Sequence, residues 1–274
     1  MDLYEETRML LNQYGLKAKK KFGQNFLINN EIITSIIEKS GITKDDVVLE
    51  IGPGLGTLTK ELLKNSKKVL AVELDEDMCN ILKNRFDASN LEIINEDILK
   101  IDLNEYAKKY GKLKVVANLP YYITTPIIMK LLENDYEIDT ITVMVQKEVG
   151  ERICSTSKDR ENSAITIGIN YYAKPSIIID VPKENFYPSP EVDSCVIKLQ
   201  VLDNPSVEVN DKDKFFGIVK LAFSQRRKTI LNSLSSGAYN KEQIQAVLDK
   251  LQLDTKLRAE DLSIEDYANI SNNI

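Results

Sequence analysis

The sequence predicts an α/β fold, with a largely parallel sheet wrapped by helices and a small all-helical domain after it. Three observations carry this. From Asp46 to about Val201, short apolar runs alternate with amphipathic stretches, the pattern of crossover units that set neighbouring strands parallel. After Leu202-Asp203-Asn204-Pro205 the strand-like runs stop and apolar residues recur at helical spacing. The length, 274 residues, allows one large domain with its own core and a second small one. The expected domains are therefore residues 1–205 and 206–274.

Candidate strands in order are Val47–Ile51, Val69–Glu73, Leu91–Ile94, Lys114–Ala117, Thr140–Val145, Ser176–Val181 and Cys195–Val201. Helix-like segments separate the first five: Thr57–Lys64, Glu76–Phe86, Leu103–Tyr110 and Thr125–Leu132. The last two strands lack long intervening helices, which places them as a hairpin-like sheet edge with one strand antiparallel. Beyond them, Phe215, Phe216, Val219, Leu221 and Phe223 crowd one segment, and Ile244, Val247, Leu248 and Leu251 follow the i, i+3, i+4, i+7 rule. Ser263 with Asp266 forms a capping-box pattern, aspartate replacing glutamate, that opens a last short helix.

Composition removes several function classes. Charged residues make up 28% and hydrophobic ones 43%, an ordinary soluble balance. No uninterrupted apolar run is long enough for a bilayer, and Met1-Asp2-Leu3-Tyr4-Glu5-Glu6 lacks a signal-peptide pattern. Cys79, Cys154 and Cys195 stand far apart with no Cys-x-x-Cys pair, which fits reduced cytoplasmic thiols rather than a disulfide frame or zinc site. Histidine is absent, so Ser-His-Asp triads, Cys-His dyads and histidine metal sites are excluded. No metal is expected. Catalysis must run on positioning, carboxylates, amides, aromatics or lysine. The net charge of −6 argues mildly against a polyanionic partner, but charge placement matters more than the sum. Lys17, Lys19, Lys20 and Lys21 form one basic cluster and Arg226, Arg227 and Lys228 another. Either alone reads equally well as a solvated face; two of them flanking a base-handling motif point to phosphate contacts.

Glu50-Ile51-Gly52-Pro53-Gly54-Leu55-Gly56 ends a buried strand, and Thr57 opens a helix. Gly52 and Gly54 let the backbone turn and approach a ligand with no Cβ in the way. A dinucleotide fingerprint, Gly-x-Gly-x-x-Gly, would aim the helix N-terminus at a pyrophosphate. Here the spacing is Gly-x-Gly-x-Gly with an acid ahead of it. A carboxylate there repels a pyrophosphate but suits a cationic, phosphate-free cofactor, and S-adenosylmethionine is one. Glu73 closes the next strand, where a carboxylate can accept both ribose hydroxyls. Asp97, just after the third strand, is placed to accept from the adenine amine of the cofactor, with Ile98 beside it on the same surface. Each acid alone reads more readily as a helix cap or surface residue. The series, at the carboxyl ends of successive parallel strands, stands where such sheets bind ligands.

Asn118-Leu119-Pro120-Tyr121 follows the fourth strand. Pro120 biases Leu119 toward an extended conformation and removes a backbone donor, which leaves the Leu119 carbonyl as an acceptor. With the Asn118 side-chain oxygen it offers two acceptors for the two hydrogens of an exocyclic amine, and Tyr121 offers a face for the base. An adenine N6 lone pair is delocalised into its ring. Drawing both N–H bonds to acceptors directs that pair toward a methyl sulfonium, so catalysis rests on orientation and proximity. An isolated Asn-x-Pro-Tyr is more often a proline turn with a buried tyrosine; its place after a cofactor-type sheet favours the base-gripping reading.

With these motifs the chain closely resembles, nearly end to end, the KsgA (RsmA) family of small-subunit rRNA adenine N6,N6-dimethyltransferases, relatives of the Erm methyltransferases. Lys21-Phe22-Gly23-Gln24-Asn25-Phe26-Leu27 is similar to the family's N-terminal motif, which implies cofactor contacts for Asn25 and Leu27. Gly52, Glu73, Asp97 and Asn118 coincide with its remaining cofactor positions. Asn185-Phe186-Tyr187-Pro188-Ser189-Pro190-Glu191-Val192-Asp193-Ser194 resembles its late motif, where Phe186 would be the aromatic on the other face of the target base. Ala222-Phe223-Ser224-Gln225-Arg226-Arg227-Lys228-Thr229 is similar to its C-terminal RNA-contacting segment and favours this branch over Erm. Leu231 stands where a basic residue is expected, and the net charge is acidic for an RNA enzyme, so assembled rRNA–protein surface would supply part of the recognition. The resemblance implies a Rossmann-like S-adenosylmethionine-dependent methyltransferase domain with a helical RNA-contacting domain. The implied reaction is dimethylation of two adjacent adenosines in the 3′-terminal hairpin loop of 16S rRNA in the 30S subunit; a cytoplasmic monomer is expected, although the sequence itself does not fix the oligomeric state. An Erm-type 23S rRNA methyltransferase and an assembly factor acting mainly by binding are the alternatives.

Overall fold

The computed structural model describes residues 2–18, 24–134, 136–225, 227–237 and 239–274. In chain order its elements are α1 (Leu3–Gln13), β1 (Phe26–Leu27), α2 (Asn30–Ser40), β2 (Val47–Ile51), α3 (Thr57–Asn65), β3 (Lys68–Glu73), α4 (Glu76–Arg85), β4 (Leu91–Asn95), α5 (Asn104–Tyr110), β5 (Leu113–Asn118), α6 (Thr124–Glu133), β6 (Ile138–Gln146), α7 (Lys147–Ile153), α8 (Ala164–Tyr172), β7 (Ala173–Val181), β8 (Phe186–Tyr187), β9 (Ser194–Val201), α9 (Lys212–Phe223), α10 (Ile230–Leu234), α11 (Lys241–Lys250) and α12 (Ile264–Asn273).

The chain forms two compact units, Met1–Gly150 with Ser176–Val201 and Glu151–Pro175 with Leu202–Ile274. In the first, seven strands run in the order β4-β3-β2-β5-β6-β9-β7. β2 pairs in parallel with β3 and β5, β3 with β4 and β5 with β6, while β9 enters antiparallel to β6. β2 reads Val-Val-Leu-Glu-Ile and is buried at every position, as a central strand covered on both faces requires. The order reverses between β2 and β5, because the chain leaves β2 on one side of the sheet and returns on the other. Loops at their carboxyl ends diverge and open a crevice there. Ile33, Ile36 and Ile37 of α2 and Leu58 and Leu62 of α3 pack with Val48, Val69, Ala71 and Val116 of the sheet.

Two helices precede the first expected element. α1 starts at Asp2, whose carboxylate accepts from the Glu5 N–H at 2.7 Å, and buries Leu3, Thr7, Leu10 and Leu11. α2 is capped by the Asn29 side chain and stops at Gly41, whose φ of 71° is left-handed. β1 and β8 form a separate antiparallel pair, with Leu27 opposite Phe186 and Phe26 opposite Tyr187.

The second unit is helical, as expected, but it does not begin at residue 206. Glu151–Pro175 belongs to it, and side chains explain why. Asn162 donates to the carbonyls of Glu260 and Leu262 at 3.0 and 3.3 Å. Tyr171 on α8 meets Phe215 and Phe216 on α9 with ring centroids 5.3 and 5.2 Å apart. These contacts join residues far apart in sequence, so a single cut at 205/206 does not describe the packing. The Ser263–Asp266 capping box opens α12 as predicted.

Candidate active site

A cleft lies at the carboxyl ends of β2 to β5, entirely within the first unit, and it brings most of the predicted residues together. Gly52 and Gly54 come from the turn after β2, Glu73 from the end of β3, and Asp97 and Ile98 from the loop after β4. Asn118, Leu119, Pro120 and Tyr121 come from the end of β5, and Asn25 and Leu27 from the segment around β1.

Close approach requires glycine in the turn. A Cβ on Gly54 would stand 3.3 Å from the Phe26 ring, and one on Gly56 only 2.5 and 2.7 Å from Phe86 and Leu82. Both glycines are left-handed, with φ of 55° and 80°. Arg85 at the end of α4 holds the turn from outside: one arm donates to the Leu55 carbonyl at 2.6 Å and the other pairs with Glu6 of α1.

Three acids face the cleft in different states. Glu73 is 8% exposed; Gly54 N–H donates to its Oε2 at 3.1 Å and Asp75 N–H to its Oε1 at 2.8 Å. Burial raises its pKa above the ordinary carboxylate value, against the lowering effect of those two donors. The donors fix the carboxylate plane, and each oxygen keeps a lone pair for a vicinal diol. Glu50 is 1% exposed and lines the same cleft. Burial pushes it up to about 8; the Thr59 hydroxyl opposes that and the Glu73 charge adds to it. Its Oε2 is buried without a hydrogen-bond partner, an oxygen that a donor on a bound ligand would satisfy. Asp97 accepts from the Leu99 N–H at 2.9 Å through Oδ1, which orders the loop and leaves Oδ2 as an acceptor.

The acceptor loop is held from three sides. Asn118 Nδ2 donates to the Asn25 carbonyl at 3.2 Å, which sets the amide plane and presents Oδ1 as an acceptor. The Pro120 carbonyl accepts from the Ile123 N–H at 3.1 Å and the Thr124 hydroxyl at 3.2 Å. Among the described residues none donates to the Leu119 carbonyl. The Tyr121 hydroxyl shares a 2.7 Å hydrogen bond with Ser194 of β9, and burial raises its pKa despite that bond. Two acceptors with a pinned aromatic ring beside them is an arrangement that grips a planar amine.

Phe186 is a correction. It is 3% exposed, packs with Leu3, Leu27 and Ile33 in the core, and does not line the cleft. Its pairing opposite Leu27 turns it into the core, so its ring offers no free face to a base. Of the basic residues, Lys19, Lys20, Lys21 and Arg226 lie outside the described residues; Arg227 and Lys228 are exposed in the second unit just before α10. Sequence reasoning missed Phe26, Leu74 and Tyr122 as lining residues and Ser194 as the anchor of Tyr121. Tyr122 adjoins the acceptor motif; Ser194 closes the late motif, but only strand order brings it to Tyr121.

A Rossmann-like sheet with a cleft at its switch point, lined by a glycine turn, acids and an Asn-Leu-Pro-Tyr loop, is the architecture of a methyltransferase. The profile of the ribosomal RNA adenine dimethylase family matches residues 15–274. Ribosomal RNA small subunit methyltransferase A of Clostridioides difficile is 44% identical over 274 residues, covering 98% of this chain and 95% of that protein. The protein of the same name from Clostridium botulinum is 44% identical over 266 residues, 97% of each. A dimethyladenosine transferase from Plasmodium falciparum superposes with a TM-score of 0.75 at 29% identity, over 89% of this chain and 95% of that one. The 23S rRNA methyltransferase ErmE, at 24% identity and a TM-score of 0.70 over 90% and 98% of the two chains, shares the fold. The chain belongs to the ribosomal RNA adenine dimethylase family.

Proposed function

We propose that the protein dimethylates N6 of two adjacent adenosines in the 3′-terminal hairpin loop of 16S rRNA, in the 30S subunit, as a step of small-subunit biogenesis. S-adenosylmethionine is the methyl donor in this reading. The observation that carries it is the pair of acceptors, Asn118 Oδ1 and the Leu119 carbonyl, held at the mouth of a cleft lined by a glycine turn and three acids.

The residues fit that cofactor. The unpartnered Oε2 of buried Glu50 would take a hydrogen-bond donor of the ligand, and the turn at Gly52 and Gly54 brings backbone to the cleft wall without side chains. Glu73 would take the ribose hydroxyls and Asp97 the adenine amine, with Ile98, Gly52, Gly54, Asn25 and Leu27 completing the surround. When bound, the cofactor supplies an electrophilic methyl on a sulfonium. Asn118 Oδ1 and the Leu119 carbonyl accept hydrogen bonds from the two N–H groups of the unmodified amine, and one of them from the single N–H left after the first methyl, which turns the N6 lone pair out of the ring; N6 releases one proton to water for each methyl it gains, while Pro120 keeps the loop extended. Tyr121, held by Ser194, carries one face of the base. No covalent nucleophile is required; the rate arises from orientation and proximity. The reading also has the protein acting in the cytoplasm as a monomer, without a metal. Among the described residues no helix is long and apolar enough to cross a membrane.

The test is methylation of purified, unmethylated 30S particles, with mass mapping of the products. Two dimethyladenosines in the 3′-terminal hairpin of 16S rRNA are expected. Asn118→Ala should lower turnover on the order of 10²-fold, the scale of one orienting group, with 30S binding retained. Product in 23S rRNA instead would move the assignment to an Erm-type activity.

A further inference from the structure

Tyr122 stands directly after the acceptor motif, in a one-turn 3-10 helix, Tyr121–Ile123. It lines the cleft and is 65% exposed. The other aromatics of the lining differ: Phe26 is 7% exposed and Tyr121 is half-buried with its hydroxyl on Ser194. Among the described residues no group hydrogen-bonds the Tyr122 hydroxyl or stacks on its ring. Leu74, 54% exposed, is another large apolar side chain of the lining open to water.

The turn constrains what these two tyrosines can do. A 3-10 helix has three residues per turn, so successive side chains leave it about 120° apart. Tyr121 and Tyr122 therefore do not close on opposite faces of one base. If Tyr121 carries the target adenine, Tyr122 meets the nucleotide beside it. Extracting a base from its stack also strips its neighbour of a partner, and an exposed aromatic ring at the rim replaces that stacking. Phe186, buried in the core, is not available for this.

We propose that Tyr122 is the stacking platform for the nucleobase next to the target adenine, holding the second adenosine at the rim while the first occupies the cleft. This rests on the reading under Proposed function and names a specificity residue for it.

The experiment compares wild type, Tyr122→Ala and Tyr122→Phe on unmethylated 30S particles. It reads kcat and KM for the particle, the division of methyl groups between the two adenosines by mass mapping, and calorimetric affinity for S-adenosylmethionine. Tyr122→Ala should lower kcat/KM about 5- to 150-fold, the span of one base–aromatic stack, mainly through KM. It should also leave a larger share of particles modified on one adenosine alone. Tyr122→Phe should behave as wild type, and cofactor affinity should be unchanged in both. An alanine variant with wild-type KM and product division overturns the platform. A phenylalanine variant as poor as alanine overturns it too, by assigning the effect to the hydroxyl. Weakened cofactor binding in the alanine variant overturns an RNA-side role. Wild-type protein inactive on 30S particles would overturn the underlying reading as well, whereas active wild type with an indifferent alanine variant overturns this proposal alone.

Discussion

Glu50 and Glu73 lie in the same cleft, yet the protein treats their charges differently. Glu73 has two backbone N–H donors on its carboxylate, so part of the cost of burial is offset. Glu50 has an unpartnered Oε2 and is pushed up to about 8, by burial first. The consequence for stability follows from linkage. Unfolded, Glu50 titrates near 4.5; folded, it holds its proton to about 8. Between those values the folded state binds a proton that the unfolded state has released, so this group's contribution to stability falls as pH rises and levels off beyond them. Glu50→Gln keeps the shape and removes the titration. Thermal melts of cofactor-free protein should show the variant gaining on wild type from pH 5 to pH 8. A gap that stays constant over that range would show that Glu50 is ionised in the folded protein.

At the scale of elements, periodicity made the sheet legible and tertiary burial hid much of the rest. The central strands are short, continuous apolar runs with helices between them, and Val47–Ile51 matches β2 end to end. α8 was not legible. Ala-Ile-Thr-Ile-Gly-Ile-Asn-Tyr-Tyr is rich in β-branched and aromatic residues, a strand-like composition, yet it is a helix, opened by the Ser163–Thr166 capping box and with Ile167, Ile169, Tyr171 and Tyr172 buried. α1 and α2 carry local signals, Asp2 and Asn29 as caps and Gly41 as a stop, but they stand outside the strand–helix alternation that marks the sheet. Within the site, the glycines, acids and acceptor loop were legible because chemistry restricts their residue types. Phe186 was misplaced because a motif gives an aromatic residue without its direction; pairing with β1 decides that. The glycine turn supplies an element-scale prediction. Gly56 has a φ of 80° and a Cβ there would meet the Phe86 ring at 2.5 Å and a Leu82 methyl at 2.7 Å, so those two side chains would have to give way. Gly56→Ala should destabilise the protein by about 1–3 kcal/mol, the range for overpacking, with added strain from the left-handed backbone. Denaturant midpoints within error of wild type would mean that the Phe86 and Leu82 side chains shift without cost.

For the whole molecule the question is how a chain of net charge −6 engages rRNA. Screening limits the reach of the sum. At about 0.1 M salt the Debye length is about 10 Å, so acids farther than that from a phosphate barely oppose its contact, and local placement decides. Arg227 and Lys228 are exposed before α10, in the second unit, and Arg226 precedes them in sequence outside the described residues. Cleft residues all belong to the first unit, so charge and chemistry are separable by mutation. Replacing Arg226, Arg227 and Lys228 together by alanine should weaken 30S binding and flatten its salt dependence. Each lost phosphate contact should reduce the slope of log affinity against log salt by about 0.7–0.9. Affinity for S-adenosylmethionine should stay at the wild-type value, which distinguishes lost docking from lost folding. If the three side chains are only a solvated face, the slope and the 30S affinity will both be unaltered. Phosphate contact would then have to come from the other basic cluster, Lys17 with Lys19, Lys20 and Lys21, and the same salt titration on alanine variants there would locate it.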